Sequence, residues 1–88
     1  MIDADIYISG HWISVGGIVR VYKEVMNWNL TLKKNTLCQK GEILVYLGPR
    51  YCGDPNQNGL NDLLFLHHAL GLVCVFHSHA NETIEVIV

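Results

Sequence analysis

The sequence predicts a small α+β domain: a mostly antiparallel β-sheet, opening as an N-terminal meander, with one helix packed on one face. Three observations carry this expectation. Apolar and polar residues alternate with a period of two through the first third of the chain, as in half-buried strands. The pairs Ser9-Gly10 and Gly16-Gly17 punctuate that alternation with turn chemistry. Residues 60–70 carry the one leucine stripe at helical spacing. The 88 residues make a single domain, 1–88.

The elements follow in order. Ile6 and Ile8 alternate with Tyr7 and Ser9 in a first strand, and Ser9-Gly10 turns the chain into a second, residues 11–15. Gly16-Gly17 tolerates positive φ and suggests a hairpin. Over residues 18–26, Val19, Val21 and Val25 share one face, with Arg20, Tyr22 and Glu24 on the other. Trp28, Leu30 and Leu32 then alternate with Asn27, Asn29 and Thr31, giving a meander with one wet face. Residues 33–41 are polar and read as a turn. Residues 43–47 are apolar on both faces, as in a central strand, and Gly48-Pro49 is expected to end it.

Residues 48–59 form a long loop for so short a chain, and long loops in compact domains are often functional. The helix is expected over about 60–70. Asn61 serves as its cap, Leu60, Leu63, Leu64, Leu66 and Leu70 fill one face around His67, and Gly71 ends it. A two-sided strand at 72–79 would complete a right-handed β-loop-α-β unit with the strand before the loop. Residues 83–88 alternate again, as a final edge strand.

Composition narrows the function. Half the residues are apolar and 16% are charged, which argues against disorder. The net charge is −2 and the six Lys and Arg are scattered, too few to follow a phosphate backbone, so nucleic acid is not an expected partner. No apolar run approaches the ~20 residues of a membrane helix. The opening "MIDADIYISG" holds two aspartates and no basic segment, unlike a secretory signal. Cys38, Cys52 and Cys74 are odd in number and widely spaced, which fits a reducing cytoplasm rather than a disulfide framework.

The closing stretch "VCVFHSHANETIEVIV" holds the strongest chemical candidates. On a strand, His77 and His79 would share a face and could present two imidazoles to one zinc ion. A third ligand could be His67, from the helix before that strand, or Glu42, Cys52 or Cys74. The competing reading makes His77 and His79 the polar end of a strand, and His67 a satisfied core histidine. His67 and His68, as helix neighbours, would point ~100° apart and could not share a metal.

The segments "EILVYLG" and "VCVFHSH" resemble the MPN/JAMM metalloprotease family, which sets a glutamate before one strand and a His-x-His after another. The resemblance implies a general base at Glu42 and zinc on His77 and His79. The serine and aspartate that the family places after the pair are missing, and Glu82 and Glu85 are the only later acids.

The leading expectation is a small non-catalytic cytosolic protein that works by protein–protein contacts, in the manner of a regulator or of a phage or mobile-element inhibitor of a host protein. It needs no cofactor. Its expected binding surface comprises Arg50, Tyr51, Asp54, Trp12 and Trp28. The alternatives are a zinc-dependent hydrolase using Glu42, His77 and His79, and a structural subunit of a homo-oligomer. The final strand, Ile84, Glu85, Val86, Ile87 and Val88, is the expected interface of a homodimer or larger assembly, because an edge strand exposes unpaired N–H and C=O groups.

Overall fold

The computed structural model describes residues 5–50 and 62–87. The fold is a small α+β domain, mostly antiparallel sheet, with one helix among the described residues. The strands are β1 (Ile6–Ile8), β2 (His11–Ile13), β3 (Ile18–Val21), β4 (Val25–Asn29), β5 (Lys34–Cys38), β6 (Ile43–Arg50), β7 (Asp62–His67), β8 (Gly71–Phe76) and β9 (Ile84–Val86). The helix, α1, spans His77–Thr83. β1 and β2 pair as a hairpin, and the other seven strands form one sheet in the order β5-β4-β8-β7-β6-β3-β9.

That order forces the sheet to curl. β3 and β4 stand four places apart, ~19 Å in a flat sheet at ~4.8 Å per strand. Only residues 22–24 join them, and such a link reaches ~14 Å at most. Val21 and Val25 at its two ends are both buried. The inner face collects Val19, Val21, Leu44, Tyr46, Leu63, Phe65, Val73, Val75 and Ile84. Ile6, Ile8 and Ile13 of the hairpin and Ala80 of α1 complete this core.

The early turns follow their residue chemistry. Ser9 (φ 49°) and Gly10 (φ 84°) both take positive φ, the two-residue turn that suits a twisted hairpin. Val19, Val21 and Val25 lie inside, as their alternation predicts, although they belong to two strands. Gly16 does turn the chain, but β2 and β3 do not pair. The turn docks on β6 instead, with Gly16 N–H donating to Tyr46 O and Tyr46 N–H to Gly17 O.

Four expectations need correction. Residues 62–67 of the expected helix 60–70 are strand β7, paired on both sides; residues 60 and 61 lie outside the described set. Leu63, Phe65 and His67 are buried while Leu66 is exposed, a period of two where the leucine content suggested 3.6. A short apolar run fits both periods, and the open ladders of β6 and β8 decide for strand. The β-loop-α-β unit is therefore an antiparallel meander, β6-β7-β8. Residues 34–38, expected in a turn, form β5 against β4. β6 continues to Arg50 through an irregularity between Tyr46 and Gly48, so Gly48-Pro49 bends the strand without ending it.

The helix arises where the sequence shows little signal. "HSHANET" has no side-chain cap and is too short to persist alone. Packing holds it. Ala80 and Thr83 are buried, and Asn81 Oδ1 accepts the Ser9 N–H at 3.0 Å.

Candidate functional site

Glu42, His67 and His68 bring their ligand-type atoms within 4.8 Å of one another. Glu42 precedes β6, and His67 is the last residue of β7, paired with Gly71 across a three-residue turn. His67 Nε2 lies 2.5 Å from Glu42 Oε2. Its Nδ1 accepts the backbone N–H groups of Ala69 at 3.0 Å and Leu70 at 3.1 Å. A nitrogen that accepts two N–H groups carries no proton, so the proton sits on Nε2 and is donated to Glu42. Gln39 N–H donates to the other carboxylate oxygen at 2.5 Å. Burial raises the Glu42 carboxyl, but the Gln39 N–H and the His67 ring outweigh it and hold the group below its ordinary value.

This geometry does not fit a metal. A ligating imidazole presents a bare nitrogen to the ion and donates its other N–H outward. His67 has the reverse arrangement: its bare nitrogen is used by the turn, and its protonated one faces the carboxylate. Nor does it form a base for catalysis, since neither ring nitrogen is left for a substrate. The His67 and His68 rings stack at 4.7 Å and 16°, which corrects the divergent pointing expected of helix neighbours.

His77 and His79 are not on a strand face. Both belong to the first turns of α1, where positions two apart diverge by ~200°. His77 Nε2 meets Tyr7 O at 2.9 Å, and His79 stands edge-on to Phe76 at 5.5 Å and 87°. Among the described residues neither joins the Glu42 grouping. The predicted set is thus divided. Glu42 and His67 meet each other, and His77 and His79 meet other partners.

The inner face of β4 and β5 is unexpectedly polar. Asn27 and Asn29 are buried, whereas Met26 and Trp28 face outward, the inverse of the wet face expected from the Trp28 alternation. Val25 sets the phase, and alternation then turns both asparagines inward. Each is satisfied. Thr36 Oγ1 donates to Asn27 Oδ1 at 2.6 Å, Asn27 Nδ2 reaches Cys38 Sγ at 3.1 Å, and Asn29 Nδ2 donates to Leu70 O at 2.9 Å. No buried side-chain nitrogen or oxygen among the described residues lacks a partner. Burial, followed by the nearby Glu42 carboxylate, pushes the Cys38 thiol up to about 11 against the lowering effect of Asn27.

The outer face of the sheet carries a groove. A cavity of about 330 Å³ is lined by Met26, Asn27, Trp28, Asn35, Asp62, Cys74, Phe76 and His79. Register explains the grouping. Asn35, Trp28, Cys74 and Leu64 form one cross-strand row, and Phe76 and Asp62 face each other in the next. Met26, Trp28, Phe76 and Leu66 are 62%, 43%, 54% and 44% exposed, a concentration of large apolar side chains on adjoining strands. Cys74 lines this groove, on the face opposite the Glu42–His67 pair.

Of the expected binding surface, Trp28 lines the groove, while Trp12 sits apart on β2, edge-on to Tyr7 at 5.5 Å. Arg50 ends β6 with its backbone paired to Asp62. Tyr51 and Asp54 lie outside the described residues, as do Cys52 and Val88. β9 is an edge strand, as expected, but its outward groups are partly engaged. Ile84 N–H bonds Ala80 O and Ile84 O accepts Ser9 Oγ. Glu85 pairs with Arg20, Val86 is half-buried and Ile87 is exposed. The groove was missed because Asp62, Cys74 and Phe76 were spread over an expected helix and strand, so their shared face was not visible.

No helix among the described residues is long and apolar enough to cross a membrane. Comparison with protein-family models, curated proteins and solved structures finds no match to this chain.

Proposed function

We propose that this protein is a non-catalytic binding module that docks a partner protein on the outer sheet face around Trp28. The observation that carries the reading is the apolar concentration of Met26, Trp28 and Phe76 around a groove that Asn35 and Asp62 also line. Isolated exposed apolar residues need no explanation, but a contiguous group rimmed by polar ones marks an interaction site. Tryptophan and its neighbours are the usual anchors of such contacts. A role as a regulator or inhibitor of a larger protein suits so small a domain. The free thiols of Cys38 and Cys74 suit a reducing cytoplasm. The hydrolase reading has less support, because His67 offers no bare nitrogen and His77 and His79 point apart.

A photo-crosslinking side chain placed at Met26 tests the reading, with one at Lys40 as the control. The expected result in cell extract is a discrete heteromeric adduct at position 26 and none at 40. Adducts of only twice the chain mass would favour the homo-oligomeric subunit, and adducts at neither position would overturn the reading.

A further inference from the structure

We infer that His67 is a proton-operated latch on the β7–β8 turn: a second proton on its ring, at Nδ1, releases residues 68–70 from the strand end. The latch is independent of the docking face proposed above. In the neutral ring Nε2 holds its proton toward Glu42, and the bare Nδ1 accepts Ala69 N–H at 3.0 Å and Leu70 N–H at 3.1 Å. Only Nδ1 can take a further proton. An imidazolium has two donors and no acceptor. Its new N–H would face the Ala69 and Leu70 N–H groups, donors converging with no acceptor among them, so either the ring or the turn must move.

The turn is the side that moves. His67 is 2% exposed, and it pairs with Leu44 on one side and Gly71 on the other. Protonation makes its Nε2–H bond to Glu42 charge-assisted on both sides and holds the ring more firmly. His68 and Ala69 are exposed, so N–H groups freed in the turn can bond water instead. Beyond the turn the chain is anchored again. Leu72 N–H donates to Thr31 Oγ1 at 3.0 Å, and Gly71 lies so close to Thr31 that no Cβ would fit. The movement is thereby confined to residues 68–70. A counterweight keeps the turn shut while the ring is neutral. Leu70 O accepts the buried Asn29 Nδ2 at 2.9 Å, and its departure would leave that amide only a long 3.5 Å contact with Thr36 Oγ1.

The titratable groups around the ring, among the described residues, are Glu42, His68 and, beside Glu42, Cys38. A histidine ordinarily gains its proton well above the pH at which a carboxylate does, and Glu42 is held below its ordinary value. The carboxylate therefore stays charged to receive the imidazolium. Cys38, held near 11 by burial and by Glu42, is a neutral thiol throughout. His68 stacks on His67 at 4.7 Å. When both rings are charged they repel, and because His68 belongs to the turn this repulsion drives the same opening.

The test follows ring and turn together by nuclear magnetic resonance of the wild-type chain, from about pH 8 to about pH 5, where histidines ordinarily change charge. The expected result is that His67 Nδ1 changes from bare to protonated. With the same midpoint, the Ala69 and Leu70 amides should lose at least ~10-fold of their protection from hydrogen exchange, after correction for the intrinsic pH dependence. The amides of Phe65 and Val73, which pair across β7 and β8, should keep theirs. His68→Gln should retain the transition. Glu42→Gln should move it to lower pH, because loss of the carboxylate disfavours the imidazolium. Unchanged protection at Ala69 and Leu70 while His67 titrates would overturn the inference, since the ring rather than the turn would then have moved. A His67 ring that stays neutral across the range, or a transition that vanishes in His68→Gln, would overturn it as well.

Discussion

The imidazole of His67 bridges two parts of the chain: Nε2 meets Glu42 Oε2 at 2.5 Å, while Nδ1 accepts the Ala69 and Leu70 N–H groups that close the β7–β8 turn. One ring therefore fixes the start of β6 to the end of β7 and shapes the turn that follows. His67→Ala should cost ~2–4 kcal/mol, since it leaves the Ala69 and partly buried Leu70 N–H groups without their acceptor, opens a void at a buried position and removes a bond to a charged group. Denaturant unfolding checks this, and a loss below ~0.5 kcal/mol would refute the bridging role.

The same pair sets an acid limit. Glu42 has a folded value below its unfolded one, so its contribution is complete above the unfolded value of 4.5 and fades as pH falls through the lower folded value. Wild-type stability should drop as pH falls below about 4.5, and Glu42→Gln should show a shallower slope there. Parallel slopes would exclude Glu42 as the titrating group.

At the alkaline end Cys38 acts. Its thiol is held near 11 in the fold against 9.0 when unperturbed, so the folded state keeps a proton that the unfolded chain releases. The stability linked to it is complete below about 9 and is lost as pH rises toward about 11. Cys38→Ser should reduce this alkaline loss. A thiol reagent at pH 8 should leave Cys38 unmodified until denaturant is added, and prompt labelling would contradict its burial.

Zinc should do nothing to the fold. With His67 Nε2 protonated toward Glu42 and His77 and His79 divergent, the melting temperature should be the same with zinc or with a chelator. A rise of several degrees on adding stoichiometric zinc would revive the metal reading, because binding to the native state alone stabilises it.

Strand β7 gives the sharpest test of the sheet. Leu63→Ala should cost ~2–5 kcal/mol and Leu66→Lys less than ~0.5 kcal/mol. A helix with the leucine stripe inward would make both substitutions costly, so circular dichroism and melting of the two variants separate the alternatives.

The sequence made part of this architecture legible. Ser9-Gly10 announced its turn because positive φ at both positions leaves few alternatives, and Val19, Val21 and Val25 announced the inner face by alternation. Residues 62–67 misled, because "DLLFLH" satisfies both periods and only its two neighbouring strands choose between them. α1 was hidden for a related reason. Its stability comes from Ala80 and Thr83 meeting distant strands, and "HSHANET" has neither cap nor stripe. The inward asparagines were illegible since their partners, Thr36, Cys38 and Leu70, lie in segments read as turn and helix. Glu42 and His67 were singled out as residues, but their pairing depends on a strand register that periodicity does not reveal.

β9 completes its side of the sheet by pairing with β3, and Arg20 meets Glu85 at a sequence separation of 65. This separation governs the order of events in time. Local hairpins such as β1–β2 can close within microseconds, but β3 keeps one edge bare until the last part of the chain arrives. Such a topology is expected to fold in milliseconds to seconds, with the unmatched edge of β3 exposed meanwhile to intermolecular pairing. Refolding yield should then fall steeply with protein concentration, and Arg20→Val, which removes the charge from that edge, should make it fall further. Concentration-independent recovery from stopped-flow to micromolar dilution would show that β9 docks before the edge can be found by another chain.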